Sequence, residues 1–493
     1  MMQKMLSQLL PGISLKADVV VTGISEDSRR VDAGDLFLAT PGLSHDGRSH
    51  IDEVLTKAAA ALCEAPFESS HELVVVVDEL TTLKGPIASR FYGDPSSRLL
   101  VIGITGTNGK TSCSHFVAQV LTALEKKCGV IGTLGFGFPG DLHEPGLTTP
   151  AAVDIQRQLA RLSEQAAEAV AIETSSHGLV QGRLNGTKIN VAIFTNISRD
   201  HLDYHGTFAD YRAAKQRLFE WPELQAAIIN TDDEFGRDIL ASLGRNVQRV
   251  SYSVANAAAN VFCRNINYGL DGFEAELVTP WGSGLLRCKL LGEFNVSNVL
   301  SVVSLLGVLG YEFSAILRAV AGLSNVLGRM DTLARPGMPL VVIDYAHTPD
   351  ALAKALKALR VHCQGDLWCV FGCGGDRDKG KRAEMGRIAT EMADHSIVTD
   401  DNPRNETSAA IIADIVVGAL PGRDLIVEPD RRLAVRCALQ KASYGDIILI
   451  AGKGHEDYQE IAGRRLIYSD YAEVENFYRH EVPSNISSGS SLS

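Results

Sequence analysis

The sequence predicts an α/β protein built on largely parallel sheet, and three observations lead there. An apolar run from Leu99 to Ile104 passes straight into Thr105-Gly106-Thr107-Asn108-Gly109-Lys110-Thr111. Phe116, Val120, Leu121 and Leu124 then recur at helical spacing, so the passage reads as strand, glycine loop and helix. From about residue 98 to 329, and again to about 478, apolar runs alternate with helical stretches, the pattern of parallel strands joined by crossover helices. Nearly every apolar run also ends in polar, glycine-rich text. Open α/β sheets bind ligands beyond the carboxyl ends of their strands.

The glycine loop has the chemistry of a phosphate cradle. Glycines let backbone N–H groups close around an anion, and the helix N-terminus adds positive potential. Lys110 would reach the terminal phosphates of a nucleoside triphosphate, and Thr111 would hold Mg²⁺. One departure stands out: the usual pattern has a glycine five positions before Gly109, where this chain has Ile104.

The later strand ends follow in order. Ala169 to Ile172 leads to Glu173-Thr174-Ser175-Ser176-His177-Gly178, and Val191 to Phe194 to Thr195-Asn196-Ile197-Ser198-Arg199-Asp200-His201. Leu340 to Ile343 leads to Asp344-Tyr345-Ala346-His347, and Leu367 to Phe371 to Gly374-Gly375-Asp376-Arg377. Ile397-Val398-Thr399 leads to Asp400-Asp401-Asn402-Pro403-Arg404, and Ile447 to Ile450 to Gly452-Lys453-Gly454-His455-Glu456. Glu173 is placed to take Mg²⁺ with Thr111, since hard cations want oxygen and Mg²⁺ uses few protein groups. Taken alone, Glu173 is equally an exposed loop glutamate, His201 a loop histidine and Lys215 a solvated helix lysine. Arg377, Arg404 and Glu456 each have an ordinary surface-charge reading too. Two strand-end arginines nonetheless suit a bidentate grip on carboxylates, and Pro403 stiffens the turn that carries Arg404.

Composition narrows the field. A net charge of −12 and a pI near 5.6 over 493 residues exclude a broad nucleic-acid footprint. No apolar run approaches ~18 residues, so no membrane span is expected. Residues 1 to 20 lack a signal-peptide core. Nine cysteines, without paired CxxC spacing, fit reduced thiols in a cytoplasmic protein and argue against a structural zinc at Cys369 and Cys373. Turn-rich text at Arg90 to Ser97 and again near Gly328 punctuates the chain, giving expected parts 1–97, 98–330 and 331–480. The Ser- and Gly-rich tail 481–493 is expected to be disordered.

These residues also carry a close resemblance to the Mur ligases, the ATP-dependent amide-forming enzymes of peptidoglycan assembly. The phosphate loop with Ile104 matches the family's variant. Glu173 to Gly178, Asn196 to Gly206, Gly292-Glu293-Phe294-Asn295-Val296-Ser297-Asn298, Gly328-Arg329-Met330 and Asp344 to Pro349 follow in family order. The likeness covers nearly the whole chain. It implies three domains: an N-terminal one for a UDP-linked substrate, a central ATP-binding one on a phosphate-loop parallel sheet, and a Rossmann-like C-terminal one for the incoming amino acid.

The resemblance also implies roles. Gly106, Thr107, Asn108, Gly109, Lys110, Thr111, Ser112, Asn295, Asn298, Arg329, Asp344 and His347 are expected around ATP. Lys110, Glu173, His201 and Lys215 are expected to be catalytic. Mg²⁺ is expected on Thr111, Glu173, His201 and Lys215, the last as an N6-carboxylated (carbamylated) lysine. Carbamylation would turn a repelling cation into an oxygen donor. Glu26, Ser28, Leu43, Ser44 and His45 are expected at the uridine end of UDP-N-acetylmuramoyl-L-alanyl-D-glutamate, and Thr148, Thr149, Ser175, Gln181 and Arg183 along its muramoyl-dipeptide. Asp401-Asn402-Pro403-Arg404 resembles the family's signature for meso-diaminopimelate. Arg377, Asp401, Asn402, Pro403, Arg404, Gly452 and Glu456 are therefore expected to hold that amino acid, with Glu456 and Asp401 suited to its ammonium groups. Lysine would leave a buried arginine fork unpaired, at a cost of roughly 2–5 kcal/mol. The expected partners are these small molecules alone, bound by a monomer.

Three rivals remain at this stage: a lysine-adding member of the family, a folylpolyglutamate-type ligase sharing the phosphate loop, and an inactive nucleotide-binding regulator.

Overall fold

A computed structural model describes residues 2–42, 45–143 and 146–480 of the protein. Leu43, Ser44 and the tail 481–493 lie outside the described residues. The chain divides into two compact units. One comprises Met1–Arg264, Leu277–Gly284 and Ser297–Val320, the other Asn265–Glu276, Leu285–Val296 and Ala321–Ser493.

The first unit contains a small parallel sheet of Gly23–Ser25, Asp35–Ala39, Ala60–Glu64 and Val74–Val77, adjacent in that order. Its strands are apolar on both faces, as parallel strands covered on both sides are. Leu36 and Leu38 join a core with Leu80, Ile87 and Phe91 of the helix Leu80–Phe91, while Phe37 and Ala39 alternate into a second core.

A larger sheet in the same unit runs Cys128–Gly132, Ala169–Glu173, Leu100–Thr105, Val191–Phe194, Ala226–Asn230 and Gln248–Ser253, all parallel. The strand entering the phosphate loop is therefore central. Its register sets Glu173 opposite Ile104 and Phe194 opposite Thr105. Three loops thus leave the sheet side by side: the phosphate loop, the loop after Glu173 and the loop after Phe194. The helix Lys110–Ala123 follows the first loop and buries Phe116, Val117, Val120 and Leu121, as the spacing predicts.

The second unit holds a sheet ordered Asp331–Leu333, Leu340–Asp344, Ile447–Ala451, Leu367–Phe371, His395–Val398 and Asp424–Val427, parallel except for its first strand. The strand Ile447–Ala451, last of these in sequence, sits between two earlier ones. Asp344 lies opposite Ala451, and Phe371 opposite Val398, so the polar strand ends again share one edge. Separate cores cover the two faces, with Leu352, Leu356 and Met385 on one and Val435, Leu439, Val474 and Phe477 on the other. This is a doubly wound sheet. No helix among the described residues is long and apolar enough to cross a membrane.

One buried ion pair ties this sheet together from behind. Arg431 and Asp470 have fully buried side chains. Arg431 Nε and Nη2 each donate to Asp470 at 2.8 Å, and Nη2 also reaches the Ala451 carbonyl at 2.9 Å. Tyr468 donates its hydroxyl to Asp470 Oδ1 at 2.8 Å. Removing one partner strands the other charge in the core. Arg431→Ala is expected to destabilise the protein by about 3–5 kcal/mol. Arg431→Met combined with Asp470→Leu is expected to recover more than half of that loss, as read from urea unfolding of the three proteins.

Candidate active site

The phosphate loop is held from beneath by the neighbouring strand end. Thr107 N donates to Asn196 O at 2.8 Å and Asn108 N to Asn196 Oδ1 at 3.0 Å. Thr107 Oγ1 lies 3.0 Å from the Tyr211 hydroxyl. The helix Lys110–Ala123 starts directly on this loop, and a helix N-terminus turns its first N–H groups and its positive dipole end toward an anion. Gly109 has φ +86°, and a Cβ there would meet Asn298 Oδ1 at 2.8 Å. Asn298 is itself buried and receives the Cys113 thiol at 3.4 Å, so one of the expected nucleotide residues backs the loop.

Two lysines converge on one oxygen of this loop. Lys110 Nζ donates to Gly106 O at 2.7 Å and Lys215 Nζ to the same oxygen at 2.9 Å. Lys215 is only 1% exposed on the helix Phe208–Gln216, so the solvated-surface reading that composition favours does not hold. Burial, and then the charge of Lys110, push the Lys215 amine well below the usual lysine range.

Glu173 is likewise buried, at 1% exposure. Its Oε2 accepts from Thr111 Oγ1 and Thr133 Oγ1, both at 3.0 Å, and its Oε1 from Thr133 N at 3.0 Å. Burial raises the carboxyl pKa, opposed by the charge of Lys110 and these hydrogen bonds. His201 is the most exposed of the expected metal residues. Its side chain is half exposed and its ring packs edge-on against His177, 4.8 Å between centroids. Among the described residues no three His, Cys, Asp and Glu side chains cluster at metal-binding spacing. The expected metal set counts a threonine and a lysine among its four members.

The residues expected along the dipeptide form one hydrogen-bonded run. Thr148 Oγ1 lies 3.1 Å from Thr133 Oγ1, whose own proton goes to Glu173. Thr149 Oγ1 lies 2.7 Å from Glu173 O and accepts from Ser175 N at 2.9 Å. Arg183 donates from Nη1 to Thr149 O at 2.6 Å and from Nη2 to Gln181 Oε1 at 2.6 Å, and Gln181 in turn donates to the Tyr204 hydroxyl at 2.9 Å. Farther along, Glu26 is engaged by Lys84 Nζ at 2.7 Å and by Val153 N at 3.2 Å. Ser28 opens a short 3₁₀ turn capped by Asp27, and His45 is exposed.

In the second unit, two of the nucleotide candidates, Arg329 and His347, pack against Tyr345. The Arg329 guanidinium lies 5.1 Å over its ring, and the His347 ring 4.8 Å from it. Asp344 accepts from Met330 N at 2.7 Å and Ala346 N at 2.8 Å, so it fixes the backbone on both sides. Asn295 is buried and donates to Leu291 O at 2.8 Å.

The loop Asp401 to Arg404 meets the strand end Gly452 to Glu456. Asp401 is 7% exposed, and its carboxylate makes no hydrogen bond or ion pair with a described residue. A Cβ on Gly452, which has φ +113°, would come within 2.5 Å of Asp401 Oδ2. Arg404 takes φ +51° and is pinned by backbone bonds to Glu460 O at 2.9 Å and from Ala462 N at 2.7 Å. Its Nη1 donates to Gly375 O at 2.9 Å and its Nε faces Glu460 Oε2 at 3.3 Å, leaving Nη2 without a described partner. Arg377 is exposed and makes no such contact.

Several contributors escape sequence reading. Thr133 has no motif around it, yet it gives Glu173 two hydrogen bonds. Asn196, Tyr204 and Lys453 all lie inside runs that sequence analysis singles out, and their position there was the available signal. Gly109→Ala forces a side chain into a left-handed position and against Asn298. It is expected to weaken nucleotide binding at least tenfold while leaving the thermal unfolding midpoint within a few degrees, as measured by nucleotide titration and calorimetry.

Comparisons with known proteins agree with this geometry. Residues 104–306 match the Mur ligase middle domain, and residues 328–454 the Mur ligase glutamate ligase domain. A Pseudomonas aeruginosa protein named UDP-N-acetylmuramoyl-L-alanyl-D-glutamate–2,6-diaminopimelate ligase is 49% identical over 476 residues, 95% of this chain and 97% of its own. The Coxiella burnetii protein of that name is 46% identical over 482 residues, covering 96% of this chain and 99% of its own. A solved structure described by the same name superposes with a TM-score of 0.76 at 36% identity, covering 97% of this chain and 99% of that one. The chain belongs to the Mur ligase family of ATP-dependent, amide-forming ligases.

Proposed function

We propose that the protein joins meso-2,6-diaminopimelate to UDP-N-acetylmuramoyl-L-alanyl-D-glutamate in peptidoglycan synthesis, releasing ADP and phosphate. The observation that carries the amino-acid assignment is the pairing of an open guanidinium edge with a partnerless, nearly buried carboxylate. Arg404 Nη2 and the Asp401 carboxylate stand on one short loop, each without a described partner. A ligand bearing both a carboxylate and an ammonium at its far carbon satisfies both groups. Lysine satisfies only Asp401. The relatives of closely similar sequence bear the name of this activity.

In this reading, residues 1–97 hold the uridine end, 98–330 the nucleotide and dipeptide, and 331–480 the diaminopimelate, in a monomer working in the cytoplasm. Glu26, Ser28 and His45, with Leu43 and Ser44, serve the uridine. The phosphate loop with Ser112, Asn295, Asn298, Arg329, Asp344 and His347 serves ATP. Arg377, Asn402, Pro403, Gly452 and Glu456 complete the diaminopimelate group.

The residues at the phosphate loop fit Mg²⁺. Glu173 is a buried carboxylate beside a threonine hydroxyl, a hard oxygen pair whose carboxylate a cation would keep ionised. Thr111, Glu173, His201 and a carbamylated Lys215 would hold it. Burial of Lys215, and then its crowding against Lys110, favour a neutral amine, the form that adds CO₂. Bound there, Mg²⁺ would neutralise charge on the transferring phosphoryl group.

The chain's own residues then order the chemistry. The D-glutamyl carboxylate attacks the γ-phosphorus of ATP and ADP leaves, giving an acyl phosphate. Lys110 and the helix N-terminus hold the phosphate charge during transfer. The Thr149–Ser175–Arg183 run fixes the dipeptide so that its carboxylate faces the loop. The amine of diaminopimelate, steered by Arg404 and Asp401, attacks the acyl carbon. The tetrahedral intermediate expels phosphate, and the nitrogen sheds its proton to complete the amide.

An ATP-dependent ligation assay with diaminopimelate and lysine in parallel tests this. The wild type is expected to prefer diaminopimelate at least a hundredfold in kcat/KM. Arg404→Ala is expected to lose ten- to a hundredfold on diaminopimelate, about the 1.5–3 kcal/mol of a charged hydrogen bond, with KM for ATP unchanged. Equal use of lysine by the wild type, or unaltered kinetics in Arg404→Ala, would contradict the assignment.

A further inference from the structure

Lys453 is the least conspicuous residue of the Gly452 to Glu456 strand end and its most completely buried. Its side chain is 0% exposed, although it carries an ammonium. Nζ donates to Glu456 Oε2 at 3.0 Å and to Asn402 Oδ1 at 3.1 Å. Asn402 closes the triangle by donating Nδ2 to the same Glu456 Oε2 at 2.9 Å. Asn402 Oδ1 also accepts from Glu460 N at 2.9 Å, so both of its lone pairs are used. Asn402 is 3% exposed and turned inward. Glu456 Oε1, by contrast, makes no hydrogen bond with a described residue, and the glutamate side chain keeps 16% exposure.

We infer that Lys453 is a positioning residue that, with Asn402, clamps one oxygen of Glu456 and leaves the other as the fixed acceptor for a substrate ammonium. The inference rests on the diaminopimelate reading given above and deepens it. A glutamate side chain has three rotatable bonds, and a free one would sample several rotamers. Two donors on Oε2 hold the carboxylate in one orientation before the ligand arrives, which is the condition for tight, specific recognition. The ammonium of Lys453 also offsets the charge that a second acid adds close to Asp401. Within this arrangement Asn402 holds Glu456 through Oδ1 and one Nδ2 hydrogen, while Asp401, Arg404 Nη2 and Glu456 Oε1 offer open atoms to the substrate. A lysine suits the task because its compact charge reaches two acceptors from a buried stem.

The test is a double-mutant cycle read by steady-state kinetics on the full chain, with diaminopimelate, ATP and UDP-linked dipeptide each varied. Lys453→Met is expected to raise KM for diaminopimelate at least tenfold, with kcat falling less than threefold and both other KM values within twofold. Combined with Glu456→Gln, the same substitution is expected to add less than threefold, because the carboxylate it orients is gone. Lys453→Gln, which keeps a donor without charge, is expected to fall between wild type and Lys453→Met. It carries the same cycle if Lys453→Met does not fold. An unchanged diaminopimelate KM in the single variants would overturn the inference. So would an equal effect with and without Glu456, which marks a merely structural lysine. A wild type that fails to use diaminopimelate would instead overturn the reading on which this rests.

Discussion

Parallel pairing decides what can meet what in this protein. Strands that run the same way deliver their carboxyl ends to one edge, and a one-residue slip would turn each terminal side chain to the opposite face. The register that sets Glu173 beside Ile104 and Phe194 beside Thr105 brings a carboxylate, a phosphate loop and the bracing Asn196 to one place. In the second unit, Asp344 opposite Ala451 and Phe371 opposite Val398 do the same for the strand ends that lead to Tyr345, Asp401 and Lys453. Residues far apart in sequence become neighbours only through this pairing. Every chemical role argued here depends on it.

Within that frame, charge is managed by burial and crowding. Lys110 and Lys215 share the Gly106 carbonyl, and the Lys215 amine, deprived of water and crowded by the charge of Lys110, loses its proton more readily. Glu173 is desolvated too, yet it is held by three donors, so its geometry is fixed whatever its proton does. In the second unit the buried cations have anionic partners: Arg431 has Asp470, and Lys453 has Glu456. Asp401 differs: it is a nearly buried carboxylate that makes no hydrogen bond or close ion pair with a described residue.

Much of this was legible in the sequence, and the limits have physical causes. Strand ends could be read because apolar runs stop abruptly at glycine and charge, and the phosphate loop because its glycines answer a backbone need. The parallel character of the second sheet followed from alternation, and its Rossmann-like winding from the family resemblance. Its strand order did not, because the insertion of Ile447–Ala451 between earlier strands is a long-range choice. Lys215 looked like a surface lysine because a helix with one buried charge has no distinctive period. Thr133 was invisible, since a lone threonine gives no pattern until Glu173 is folded against it. The bonds of Asn402 to Lys453 and Glu456 were equally hidden, because they join two strand ends that only the folded sheet brings together.

In the proposed reaction, phosphoryl transfer from nucleotide to carboxylate precedes amide formation. Labelling the D-glutamyl carboxylate of the UDP-linked dipeptide with heavy oxygen and analysing the phosphate released by mass spectrometry tests that directly. One labelled oxygen per phosphate is the predicted result. Phosphate free of label, formed while the amide accumulates, would contradict it.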